Sequence, residues 1–226
     1  MWVKVCGVTR AEDAAAAVAA KVDAIGLVFA ESPRRVSMAQ AAQVAQAAGG
    51  GVPLVGVFVN ADADEVLEIH RQVPLFAAQF HGMWTAATLG SIADAGIRPI
   101  PALRFGADRQ ALSAAAQTAI AAGAQEILLD AAVPGKMGGT GVTFDWDAAR
   151  LWSAQFSDSV RWVAAGGLNA ENVGAAIHAL EPWGVDVSSG VESSPGIKSH
   201  EKIRAFVQAA RSADCVTAQI TEREQE

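Results

Sequence analysis

Eight times along the chain, a short and nearly all-apolar run is followed by a longer stretch with polar residues at helical spacing. The apolar runs predict strands over residues 4–7, 24–29, 54–59, 76–81, 98–104, 126–130, 161–165 and 184–188. The amphipathic stretches predict helices over 11–20, 38–48, 63–72, 84–95, 109–122, 145–152, 170–180 and 201–211. Strands that alternate with helices form a parallel sheet, because each parallel crossover needs the length a helix supplies. Runs that are apolar throughout fit strands covered on both faces. Thr9-x-x-Glu12 and Ser37-x-x-Gln40 read as capping boxes, and Asp62 and Asn169 as N-caps. Eight such units in 226 residues predict an α/β fold of one (β/α)8 TIM barrel, a fold that typically takes about 250 residues. The competing open, doubly wound sheet calls for a dinucleotide fingerprint after an early strand, and none is present. The barrel is predicted as one domain over residues 1–211, with 212–226 a polar, loosely ordered tail.

Composition narrows the picture. Hydrophobic residues make up 51 % of the chain and charged residues 18 %, which supports a large core and excludes a disordered chain. A net charge of −7 speaks against a nucleic-acid partner, so local donors must hold any anionic ligand. Cys6 lies in the first strand and Cys215 near the polar end, and no disulfide is expected. Met1-Trp2-Val3-Lys4 reads directly as strand with no secretory leader, so a cytoplasmic location is expected. Residues 36–61 carry no formal charge, long enough for a membrane span. Gln40, Gln43 and Gln46 nevertheless form a polar helical stripe, and Gly49-Gly50-Gly51 and Pro53 then break the helix. That stretch predicts a surface helix, a turn and a buried strand, not a membrane segment.

The reacting groups of such barrels lie at the C-terminal ends of the strands. There the sequence places Cys6 after the first strand and Asp130 after the sixth. A thiol and a carboxyl facing one mouth make a general acid–base pair. Taken singly, Cys6 reads as a small buried apolar residue, and Asp130 as a carboxylate that caps a loop. Gly166-Gly167 and Ser188-Ser189-Gly190 follow strands seven and eight, the usual phosphate site of the fold. Glycine lets main-chain N–H groups approach an anion, and hydroxyls add donors; the alternative is that these glycines only make tight turns. Arg34 beside the rigid Pro33 suits a bidentate carboxylate contact, or forms a solvated pair with Arg35. His81 alone reads as a satisfied structural histidine. Gly138-Gly139-Thr140-Gly141 lacks the ending of a P-loop. It sits in a long segment that reads either as a lid or as a plain surface loop.

Several motifs occur together and in order: Lys4-Val5-Cys6-Gly7-Val8-Thr9, Ser32-Pro33-Arg34, Val55-Gly56-Val57-Phe58-Val59-Asn60 and Gln79-Phe80-His81-Gly82. Leu128-Leu129-Asp130-Ala131, Gly138-Gly139-Thr140-Gly141-x-x-Phe144-Asp145-Trp146, Ala165-Gly166-Gly167-Leu168-Asn169 and Val185-Asp186-Val187-Ser188-Ser189-Gly190-Val191-Glu192 complete the set. From Val3 to Val207 the chain resembles phosphoribosylanthranilate isomerase of tryptophan biosynthesis. The resemblance implies an Amadori rearrangement of N-(5-phosphoribosyl)anthranilate to 1-(2-carboxyphenylamino)-1-deoxyribulose 5-phosphate. It implies Asp130 as the general acid at the ribose ring oxygen and Cys6, as thiolate, as the base at C2′. By the same resemblance Arg34 clamps the anthranilate carboxylate, Asp186 orients the substrate and His81 lines the pocket. Gly166, Gly167, Ser188, Ser189 and Gly190 form the phosphate cradle.

No cofactor and no metal are expected, because the imine nitrogen already serves as electron sink. The expected partner is the small phosphoribosyl substrate, with no nucleic acid and no membrane; the Ala-rich outer helices fit a monomer or a modest homodimer. The chain departs from the family at Phe80, where Leu is usual, and at Arg35, where an aromatic is common. Both are expected to reshape the aromatic end of the pocket. A bifunctional isomerase acting also in histidine biosynthesis would use Asp where Cys6 stands, and a catalytically silent sugar-phosphate-binding barrel would not need the Cys6/Asp130 pair.

Overall fold

The computed structural model describes residues 1–106, 108–131 and 145–224. Eight parallel strands close into a barrel in chain order: β1 (Trp2–Cys6), β2 (Ala24–Val28), β3 (Leu54–Val59), β4 (Ala77–His81), β5 (Arg98–Phe105), β6 (Glu126–Ala131), β7 (Arg161–Ala164) and β8 (Gly184–Val187). The barrel closes between β1 and β8, with Lys4 opposite Asp186. A helix follows each strand: α1 (Ala11–Ala19), α2 (Met38–Ala48), α3 (Ala63–Gln72), α4 (Ala86–Asp94), α5 (Arg109–Ala121), α6 (Trp146–Ser153), α7 (Val173–Leu180) and α8 (His200–Glu224). A short antiparallel pair, β9 (Glu192–Ser194) and β10 (Ile197–Lys198), is inserted between β8 and α8.

The period of two along a strand separates the two sides of the barrel wall. On β1, Val3 and Val5 face the helices and join the large outer core, while Trp2, Lys4 and Cys6 point inward. On β6, Ile127 and Leu129 face the helices and Leu128 faces the interior. The interior is therefore layered: Trp2 stacks on Trp183 at the N-terminal end with ring centroids 5.2 Å apart, aliphatic residues and the Lys4–Asp186 pair fill the middle, and Cys6 reaches the opposite end.

Local signals explain most helix starts. Ser37 and Gln40 form the predicted capping box of α2, and Asp62 caps α3 through Glu65 N–H. The predicted box at Thr9 does not form: Arg10 is the N-cap of α1 without a side-chain cap, and the Thr9 hydroxyl donates to Gly196 O at 2.6 Å. A tertiary contact to the β9–β10 turn has outcompeted the local one. Asn169 caps a turn one step ahead of α7, accepting from the N–H groups of Glu171 and Asn172, so the helix begins at Val173. Helix α8 continues past residue 211 to Glu224, where a loose tail was expected from polarity. No Gly or Pro interrupts the sequence after Lys198, so nothing stops the helix, and Ala213 is buried against the barrel's outer layer. Among the described residues no helix is long and apolar enough to cross a membrane.

Candidate active site

At the C-terminal ends of the strands lies one cavity whose wall includes Cys6 and Asp130, together with Arg34, His81 and Asp186. Cys6, His81, Asp130 and Asp186 arrive by the same rule, a residue in inward phase at or next to a strand end, and Arg34 comes from the loop after β2. Gly26 on the neighbouring strand makes room for the thiol, since a Cβ there would lie 2.8 Å from Cys6 Sγ. Gly166, Gly167, Ser188 and Ser189 also line the cavity. Gly166 and Gly167 have φ of 87° and 67°, a left-handed backbone that favours glycine, and Asn172 Nδ2 donates to Gly167 O at 2.9 Å. Gly190 does not line the cavity. A Cβ at Gly190 would fall 1.9 Å from Leu168 O, so this glycine lets the loops after β7 and β8 touch. Gly138–Gly141 lies outside the described residues.

Arg34 is held more firmly than its place in a loop implies. Its Nε and Nη2 donate to the two oxygens of Glu192, both at 2.8 Å. Glu192 is buried and also accepts from Lys198 Nζ at 2.9 Å and Gly196 N–H at 3.2 Å. Gly7, with φ 70°, clears the stem of Arg34: a Cβ there would meet Arg34 Cδ at 2.6 Å. The guanidinium thus spends one edge on Glu192 and keeps Nη1 for the cavity it lines.

The electrostatics divide the ionisable groups. Burial pushes the Cys6 thiol up; Lys4 pulls against it, Asp186 adds to the rise and Lys198 opposes it. Burial works against the Lys4 charge too, but Asp186 at 2.8 Å and the Cys6 sulfur outweigh it, and Lys4 stays an ammonium. Burial, with Lys4 and Arg104, lowers His81 to about 4, so its imidazole is neutral at pH 7. Its Nε2 forms a 2.7 Å polar contact with the side-chain amide of Gln79, its inward neighbour on β4.

The N-(5'phosphoribosyl)anthranilate (PRA) isomerase family model matches residues 3–209. The chain belongs to this isomerase family. It is 48 % identical over 212 residues to an N-(5'-phosphoribosyl)anthranilate isomerase of Pseudomonas fluorescens, covering 93 % of this chain and 95 % of that protein. It is 44 % identical over 211 residues to one of Rubrobacter xylanophilus, with 93 % and 98 % covered. A crystal structure of phosphoribosyl anthranilate isomerase from Thermotoga maritima matches with a TM-score of 0.81 and 35 % identity, covering 94 % of this chain and 99 % of that one. A phosphoribosyl anthranilate isomerase solved in complex with reduced 1-(o-carboxyphenylamino)-1-deoxyribulose 5-phosphate matches at 0.78 and 34 %, with the same coverage.

Against the isomerase motifs, two departures prove remote from the cavity. Phe80 is fully buried and packs on Phe58, 6.1 Å between centroids, because it is out of phase with the inward Gln79 and His81. Arg35 is exposed, bridges to Val28 and flanks α2 and α3, outside the mouth. Neither reshapes the pocket. Two charged residues inside the quoted motifs carry more than sequence reasoning assigned. Lys4 sits beneath Cys6 in the same phase of β1, a signal present as a lysine two residues before the cysteine in an apolar strand. Glu192 holds Arg34 from 158 residues away, a pairing no local pattern marks.

Proposed function

We propose that this chain converts N-(5-phosphoribosyl)anthranilate to 1-(2-carboxyphenylamino)-1-deoxyribulose 5-phosphate in tryptophan biosynthesis, with Cys6 and Asp130 as base and acid. The observation that carries this reading is that the two residues, from β1 and β6, line one cavity in a chain of the isomerase family. Asp130 gives its proton to the ribose ring oxygen, the C1′–O bond breaks and the nitrogen lone pair forms an iminium. Cys6 thiolate takes the C2′ proton; the C–H electron pair moves toward nitrogen and leaves an enaminol, which ketonises to the product. The iminium nitrogen is the electron sink, so the step calls on neither metal nor cofactor.

Arg34 offers Nη1 to the anthranilate carboxylate, and Asp186 orients the substrate near its amine and sugar. The neutral His81 lines the pocket without adding charge. Gly166, Gly167, Ser188 and Ser189 supply the phosphate cradle. Gly190 belongs to it through the approach of the two loops. We read residues 1–211 as one catalytic domain, beyond which the last helix runs on to Glu224. The net charge of −7 favours a small-molecule partner over nucleic acid. A cytoplasmic enzyme, monomeric or a modest homodimer, fits the reading.

The test is loss of substrate fluorescence with freshly prepared phosphoribosylanthranilate. Wild type turns over. Cys6→Ser and Asp130→Asn each lower kcat by about 10²–10⁴-fold with unchanged circular dichroism. Near-wild-type turnover in either variant removes that residue's role, and no turnover by folded wild type removes the activity.

A further inference from the structure

We propose that Lys4 is a positioning residue that keeps Cys6 in its thiolate form, by holding a dehydrated ammonium beneath the sulfur. This rests on the reading of Cys6 as the general base. The two side chains lie two residues apart on β1, in the same inward phase, with Cys6 at the mouth and Lys4 one layer deeper. Lys4 is wholly removed from solvent, and an enclosed ammonium costs several kcal/mol unless something offsets it. Its partner is Asp186, directly across the β1–β8 seam, with Nζ and Oδ1 2.8 Å apart. The same ammonium also interacts with the Cys6 sulfur.

The charged groups around the sulfur differ in what they can still give. Lys198 on β10 donates to Glu192 and to Ser188 O, and Arg34 has given one edge to Glu192. Asp186 on β8 is an anion and opposes a thiolate. Asp130 on β6 and His81 on β4 share the cavity, and His81 is neutral. Lys4 is the cation whose own strand carries the sulfur and whose ammonium interacts with it from the layer below. Enclosure strengthens its attraction for a thiolate, and that attraction opposes the effect of burial on the thiol. A lysine that is buried with no ligand-facing surface acts through Cys6 and does not itself touch the substrate.

The experiment reads the thiol directly, without substrate. In a Cys215→Ser background, the thiolate ultraviolet absorbance and the rate of iodoacetamide capture at Cys6 are followed across pH. Lys4→Met moves both midpoints upward by about one unit or more, about tenfold in thiolate at a given pH, and moves the ascending limb of kcat/KM with them. Lys4→Arg restores part of the shift. Because Lys4→Met leaves Asp186 buried without a counter-charge, Lys4→Met/Asp186→Asn is titrated alongside it and also lies above Asp186→Asn alone. Folded variants with midpoints unchanged or lowered overturn the proposal, as does a loss of activity in Lys4→Met with no displacement of the pH limb. If Lys4 shifts the thiol but Cys6→Ser still turns over, the fault lies with the base assignment and not with the coupling.

Discussion

At the scale of single residues, identity matters less than which side of the strand a residue faces. Gln79 and His81 point into the barrel while Phe80, between them, is fully buried in the outer core. His81 makes this testable. Its folded value of about 4 lies below the ordinary 6.5, so between those values the unfolded chain takes up a proton that the folded chain refuses. The stability His81 contributes is therefore present above pH 6.5 and is lost as pH falls toward 4. His81→Gln is expected to lose about 2 kcal/mol less than wild type between pH 7 and pH 5, measured by urea unfolding at the two values. Equal losses would place the ring in a solvated setting. Cys6, Asp130, Asp186 and the serines of the last loop were legible because strand-end position and phase can be read from an apolar run. The reach of Gly190 was not: its missing Cβ serves a contact between two loops, and nothing in either loop alone reports the other.

At the scale of elements, the eight strands and the first seven helices were legible to within a few residues of their ends, since period 2 and period 3.6 are properties of the local chain, whereas α8 runs 13 residues past its expected end at 211. The β9–β10 hairpin was not, because its strands are two and three residues long and their role is tertiary. It stations Glu192 against Arg34 and seats Gly196 beside Pro33 and Thr9. Glu192→Gln keeps the shape and removes the charge that fixes the guanidinium. The expected result is a KM raised about tenfold with kcat within about twofold, because a carboxylate clamp acts in ground state and transition state alike. Arg34→Ala is expected to raise KM at least as much, about 10–100-fold for a lost charged hydrogen bond. A Glu192→Gln enzyme with wild-type KM would show that Arg34 needs no brace.

At the scale of the whole molecule, the barrel is a ring whose first and last elements must be joined. Besides the β1–β8 ladder, Arg211 of α8 donates to Met1 O, Lys21 O and Asp23 Oδ2, and Asp23 in turn accepts from Val3 N–H. These contacts lie away from the mouth. Arg211→Ala is therefore expected to lower Tm by roughly 2–4 °C, about 1 kcal/mol for partly exposed bonds in a chain of this size, with kcat/KM unchanged; calorimetry and the fluorescence assay check the two halves. The central claim is that one cavity sets a sulfur and a carboxyl on either side of a single pentose. A crystal structure of this chain with a reduced, non-reactive product analogue tests it most directly. The phosphate is expected between residues 166–167 and 188–189, with Cys6 Sγ about 3–3.5 Å from C2′ and Asp130 within hydrogen-bond reach of the oxygen released from the ring. An analogue bound with its sugar away from either residue, or with both on the same face of it, would contradict the account.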